Sequence, residues 1–403
     1  MRHSIVPKLI VCVVLVMLVI PGCRWSVSKP ITSIATTTIA TPESKATFIS
    51  PSPTCTATSL SEAIKPTPTF ISPLPTQETT VPEKPKPLEL AEWPPMNLPD
   101  WPRPPGDNGR GVHFLGTPYY SDEDLDRNVA RIKELGLKWC VVVYGDEIQL
   151  ERAARRFKAA GIYVIWRKMV RPFQRYYDWG RDIKIIQEIG LPPYMQVYNE
   201  PSLPAEWEGH PIDEQLFIEN LLYAVRDVYN NGGYVGLQFL NRQWLVDALR
   251  AIKERKGERI FNRMFFVAHS YGLNHPPDYA QDENAALGFL IYADIFQQEI
   301  GFVPPIIVGE GGWKIGSDED NRYPPIDEKR HRDYHIEVYN WFCTGQLSNG
   351  QPLPDYLFAF CPWLIAAKLD DRAWYDSFAG DRNLLIEALK NMPSCERKFS
   401  WER

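Results

Sequence analysis

From Gly109 to Met392 the chain alternates between short apolar stretches rich in β-branched residues and longer amphipathic ones, and it does so eight times. This recurrence constrains the fold more than any other feature. Near-continuous apolar strands interleaved with helical periodicity need cover on both faces, which is the condition met by a parallel sheet wrapped in helices. Strands are expected at 111–115, 139–144, 162–166, 194–199, 234–239, 264–269, 306–309 and 356–363. The first helix opens at Ser121, with Asp124 three residues later as a capping-box-like start, and runs to 135, where Gly136 stops it. Helices follow at about 147–160 (closed by Gly161), 179–189, 212–230, 244–255, 284–300, 328–342 and 383–392. Eight strand-helix pairs are the count of a (β/α)8 TIM barrel, which typically takes about 250 residues, and more with insertions. A domain over 106–403 is therefore expected.

The sequence ahead of it has a different texture. Residues 24–105 are dense in Pro, Thr and Ser and have almost no apolar periodicity, so they read as a disordered linker. As polyproline II at about 3.1 Å per residue it would reach on the order of 250 Å, an upper limit for holding a domain off a membrane. Its hydroxyls suit O-glycosylation, and a plain spacer fits equally. Residues 92–103, with Trp93 and Trp101 among prolines, are expected to strap onto the domain. Residues 1–23 carry Arg2 and Lys8 and then an apolar run over 9–20, too short to span a bilayer and suited to an export signal. Ile20-Pro21-Gly22-Cys23 resembles the lipobox of bacterial lipoproteins, with Pro departing from the commonest second position; the resemblance implies lipidation of Cys23 and a cell-surface or extracellular domain anchored to a bacterial membrane. Plain signal cleavage is the alternative.

A net charge of −6 and a pI near 5.8 argue against a nucleic-acid partner. Thirteen Trp suit a carbohydrate binder, since sugar faces stack on rings, although large barrels also bury many aromatics. Among the cysteines, Cys140 lies in a core strand as a buried thiol and Cys361 near the tip of the eighth strand. Cys343 and Cys395 fall at the bottom face on neighbouring helices, and this pair is the expected disulfide. His331 and His335 are spaced like two zinc ligands, but no third ligand is evident, and an outer helix face is expected for both. The absence of a Gly-rich phosphate loop or a Gly-x-Ser-x-Gly elbow removes support for kinase, dinucleotide and serine-hydrolase readings.

Active sites of such barrels lie at the C-terminal ends of the strands. Those ends carry His113, Tyr144, Arg167, Asn199 with Glu200, His269 with Tyr271, Glu310 and Trp363. Two of the tips push a carboxylate out of an apolar run: YMQVYNEP ends in Glu200 and PIIVGEGGW in Glu310 followed by two glycines. Paired carboxyl groups can divide acid and nucleophile duties in glycoside hydrolysis. A separation of about 5–5.5 Å gives retention and about 6.5–9.5 Å inversion.

Asn199-Glu200-Pro201 at the end of the fourth strand and Glu310 at the end of the seventh resemble the signature of the clan A retaining glycoside hydrolases, the "4/7" barrels that include family 5 cellulases and mannanases. The resemblance implies Glu200 as acid/base, Glu310 as nucleophile and Asn199 on the sugar 2-hydroxyl. His269-Ser270-Tyr271 matches the strand-six His-x-Tyr pattern, implying that Tyr271 orients the nucleophile, and Trp363 matches the strand-eight Trp that floors the reacting subsite. No cofactor and no metal are implied. Family 5 members usually bring an Arg to the nucleophile from the second strand; WCVVVYGDE has none, and Arg167 on the third strand either replaces it or makes a surface salt bridge. Plainer readings stand beside these: Glu310 in a structural ion pair with Arg167, His113 hydrogen-bonded in the barrel mouth instead of touching substrate, and Trp313 as a loop anchor instead of a sugar platform. The expectation is a monomeric retaining hydrolase of a β-linked oligo- or polysaccharide. A non-catalytic cell-surface carbohydrate-binding barrel is the rival.

Overall fold

The computed structural model describes residues 95–115 and 120–402. The expected export signal, Cys23 and the linker up to residue 94 lie outside the described residues. Among the described residues no helix is long and apolar enough to cross a membrane.

Eight strands, β1 (Gly111–Phe114), β2 (Trp139–Tyr144), β3 (Tyr163–Lys168), β4 (Tyr194–Gln196), β5 (Tyr234–Leu237), β6 (Met264–Tyr271), β7 (Ile306–Gly312) and β8 (Leu357–Phe360), form one parallel sheet in sequence order. β8 closes on β1 through a parallel bridge between Arg110 and Phe360, and the His113 amide donates to Pro362 O at 3.0 Å. The fold is a (β/α)8 barrel. Its helices are α1 (Asp122–Glu134), α2 (Glu147–Ala160), α3 (Trp179–Ile189), α4 (Glu214–Asn230), α5 (Arg242–Glu254), α6 (Phe289–Ile300), α7 (Glu328–Thr344) and α8 (Asn383–Lys390).

Local chemistry explains most boundaries. Ser121, Asp146, Asp213, Asn241 and Asp327 each accept a backbone N–H at a helix start, satisfying donors that would otherwise be orphaned. Several boundaries move, most by one to three residues. β4 ends at Gln196 and not at 199, because the chain turns there and Glu200 takes a φ of +39°. β6 and β7 run on to Tyr271 and Gly312, paired through a register shift that sets His269 against Glu310. α6 starts at Phe289, after a 3-10 turn at Ala286–Gly288, instead of near 284.

The barrel lumen is filled at its floor by Trp139, Val141, Ile165, Tyr194, Phe265 and Phe358. The strap lies beneath it: Trp101 is buried, with its ring centroid 5.0 Å from Tyr234 and 6.0 Å from Tyr194. Cys343 and Cys395 form a disulfide with Cα atoms 5.6 Å apart, and Cys140 and Cys361 are buried free thiols. His331 and His335 are not on an outer face. Both are buried on the side of α7 that meets the barrel, where His335 packs edge-on against Trp313 and Trp374 and gives Nδ1 to the His331 carbonyl at 2.6 Å. Their i,i+4 spacing serves helix-to-barrel packing.

Candidate active site

β7 delivers Glu310 into the barrel mouth, and the glycines after it let the chain leave. Gly312 has φ +85°, and a Cβ there would come within 2.6 Å of His335 and 3.0 Å of Pro362, so the turn needs a residue without a side chain. Glu310 is 3% exposed, and both of its oxygens are claimed. Arg167 Nη1 donates to Oε1 at 2.5 Å and the Tyr271 hydroxyl to Oε2 at 2.8 Å, while His113 Nε2 stands 3.6 Å from Oε1. Burial alone would raise the Glu310 pKa, but His269 and Arg167 together with the Tyr271 hydrogen bond outweigh it and hold the carboxyl below its ordinary value. Burial pushes His113 down to about 3, so it faces Glu310 as a neutral imidazole.

β4 presents Glu200 differently. Its backbone sits in the left-handed region, where non-glycine residues pay a steric penalty, and its amide donates to Gln238 Oε1 at 2.5 Å just beyond β5. Glu200 is 5% exposed, and its Oε1 lies 2.8 Å from His269 Nδ1. The same nitrogen is 3.7 Å from Glu310 Oε2, so one imidazole bridges the two carboxylates. Burial works against charge on His269, and the two glutamates more than reverse that, raising its pKa. One ligating atom each from Glu200, His269 and Glu310 lie within 4.8 Å of one another. These three have the residue types of a metal site, while Arg167 already pairs with Glu310 Oε1 and the Tyr271 hydroxyl donates to Oε2.

Asn199, beside Glu200, is buried and held at both ends: Nδ2 donates to Glu206 Oε1 at 2.9 Å, and Oδ1 accepts from Gln196 Nε2 at 3.2 Å. Trp363 is 9% exposed, its Nε1 bonded to Asp370 Oδ2 at 2.7 Å and its ring 4.4 Å from that of His113. The structure thus brings Glu200, Glu310, Asn199, His269, Tyr271, Trp363, His113 and Arg167 to one place. Two of these differ from a substrate-contacting role. His113 is wholly buried behind Glu310, so it supports the carboxylate, and Arg167 is spent on Glu310. Trp313 does not join them as a sugar platform: it is 3% exposed, and its Nε1 donates to His275 O at 2.8 Å, which makes it a loop anchor. Tyr144 points away from the mouth, its hydroxyl on Asp182 at 2.7 Å in the layer beneath α3.

Sequence reasoning missed Gln238, Glu206 and the Asp370–Arg372 pair that braces Trp363. Gln238 follows β5 and was accessible to the strand-end rule. Glu206 sits in a 3-10 turn, Pro204–Trp207, with no periodic signal to mark it.

No family model matches the chain, and no curated protein matches it. Solved structures similar to it include the catalytic domain of a mannanase from Streptomyces sp. SirexAA-E (15% identity, 66% of this chain and 78% of that one, TM-score 0.38). A GH128 (subgroup VII) oligosaccharide-binding protein from Trichoderma gamsii shares 13% identity over 72% of this chain and 98% of its own, with a TM-score of 0.38. A truncated 3-deoxy-D-arabino-heptulosonate 7-phosphate synthase from Thermotoga maritima stands at 12%, 71%, 86% and 0.36. The barrel assignment rests on strand order and closure in this chain.

Proposed function

We propose that this chain is a retaining glycoside hydrolase of the clan A type, acting by double displacement on a β-linked oligo- or polysaccharide. The observation that carries the reading is the approach of the Glu200 and Glu310 carboxylates to within 4.8 Å. One oxygen of each carboxylate approaching that closely supports the narrower separation of about 5–5.5 Å, at which one carboxylate attacks directly, over the about 6.5–9.5 Å of inversion.

Glu310, kept anionic by its cationic neighbours, attacks the anomeric carbon, while Glu200 gives a proton to the leaving oxygen. Glu200 then takes a proton from the water that releases the glycosyl-enzyme ester. His269 lies against both carboxylates and balances charge as the proton moves. Asn199 takes the sugar 2-hydroxyl, and Trp363 floors the subsite. An exported domain, tethered through Cys23 on a Pro/Thr-rich stalk and acting as a monomer at a bacterial surface, fits this activity and belongs to the same proposal.

The test is intact-protein mass spectrometry after incubation with a panel of 2-deoxy-2-fluoro glycosyl fluorides, followed by peptide mapping. Label on Glu310 is expected. Sugar binding without label across the panel would favour the second reading, a sugar-binding barrel, which the low exposure of both glutamates makes worth testing.

A further inference from the structure

Glu206 carries no role in the chemistry described so far, yet it is buried in a position that touches most of that chemistry. It follows Glu200 by six residues and lies in the 3-10 turn Pro204–Trp207, which is pinned by Trp207 Nε1 donating to Pro201 O at 2.8 Å. Its two oxygens have separate duties. Oε2 accepts from Arg171 Nη1 at 2.6 Å. Oε1 accepts from Asn199 Nδ2 at 2.9 Å and stands 4.0 Å from Arg167 Nη2, while Nη1 of that arginine bonds Glu310.

We propose that Glu206 is a positioning residue that fixes the orientation of the Asn199 amide. A carboxylate only accepts hydrogen bonds, so the amide end that faces it has to be nitrogen. Gln196 Nε2 is a donor, so the end that faces it has to be oxygen. Asn199 is thereby fixed as a donor whose remaining Nδ2 hydrogen is available to a ligand oxygen. A glutamine at 206 removes that constraint: if its oxygen stays on Arg171, its amino group faces Asn199 Nδ2, donor against donor. Either orientation of Asn199 then sets its amide nitrogen against a donor, the new amide or Gln196 Nε2, so its orientation is no longer fixed. The kinetic consequence rests on the glycosidase reading; the hydrogen bond does not.

The experiment compares wild type, Glu206→Gln and Glu208→Gln. Glu208 also pairs with Arg171 but is exposed and is not bonded to Asn199, so its variant controls for the shared arginine. In each, side-chain amide exchange of Asn199 is followed by NMR, and kcat and KM are measured on matched 2-hydroxy and 2-deoxy aryl glycosides. In Glu206→Gln, Asn199 amide protection is expected to fall, and kcat on the 2-hydroxy glycoside to drop about tenfold or more, with KM little changed, as for loss of one charge-assisted hydrogen bond. On the 2-deoxy glycoside the same variant should match wild type, and Glu208→Gln should match wild type throughout. Unchanged Asn199 exchange in Glu206→Gln overturns the proposal, and so does an equal loss on both glycosides, which would mark a purely structural role. A wild type that hydrolyses nothing, with protection still lost in the variant, sinks the glycosidase reading and leaves the Glu206–Asn199 link standing.

Discussion

Glu310 lies within β7 inside a ring of donors, whereas Glu200 lies four residues past β4 on a left-handed backbone with a single imidazole against its carboxyl group. Under the proposed double displacement, the difference matches two kinds of work. A nucleophile has to stay anionic, and Arg167, His269 and Tyr271 together oppose protonation of Glu310 despite burial. An acid/base has to give up and retake a proton, so a surround with fewer fixed cations suits it. The φ of +39° at Glu200 is the kind of strain, of order 1–3 kcal/mol, that persists only where neighbours over-determine it. Here Gln238 holds the Glu200 amide and Pro201 fixes the exit.

That contrast can be broken by exchanging one group at a time. The largest effect is expected from Glu310→Gln, which should abolish covalent labelling and lower turnover by roughly four orders of magnitude or more, as for loss of a nucleophile. Turnover near that of wild type would end the assignment. Glu200→Gln should lose roughly 10²–10⁴-fold on glycosides whose leaving group needs a proton. Its loss should be much smaller on a dinitrophenyl glycoside, whose leaving group departs without one, and labelling at Glu310 should persist. Equal losses on both substrates would remove the acid/base role from Glu200. The smallest effect is a shift in pH dependence. Arg167 lowers the Glu310 pKa, so Arg167→Met should raise it, and because attack needs the carboxylate, the acid limb of kcat/KM should move to higher pH. An acid limb that stays in place would mean that His269 and Tyr271 suffice to hold the charge.

Much of the scaffold was legible before any coordinates. The α2 and α3 spans expected at 147–160 and 179–189 are those observed, because a capping Asp146, the closing Gly161 and Gly190, and a periodic apolar face all act within a few residues. The strand-end rule, with the clan A resemblance, brought out Glu200, Glu310, Tyr271, Arg167 and His113 as residues of one face. It did not show which of them are wholly buried, as His113 is behind Glu310. Trp313 and Trp363 are both tryptophans just past a strand, yet one is a loop anchor bonded to His275 O, and the other lines the mouth, braced by Asp370. His331 and His335 read as an outer face because a helix with polar residues on several sides gives no clear stripe, and only the approach of Trp313 and Trp374 shows which side is inward.

By itself, then, the sequence determined the eight-fold alternation, the helix caps and the two carboxylates at strand ends, since each depends on interactions between near neighbours along the chain. The tertiary structure decided that Glu200 and Glu310, 110 residues apart, come within 4.8 Å, that His269 bridges them, and that Glu206 reaches Asn199. The meeting of Glu200, His269 and Glu310 follows from the closure of β8 on β1 and from a register shift between β6 and β7, both set by the packing of the whole barrel, whereas the Glu206–Asn199 contact is made by the turn after β4.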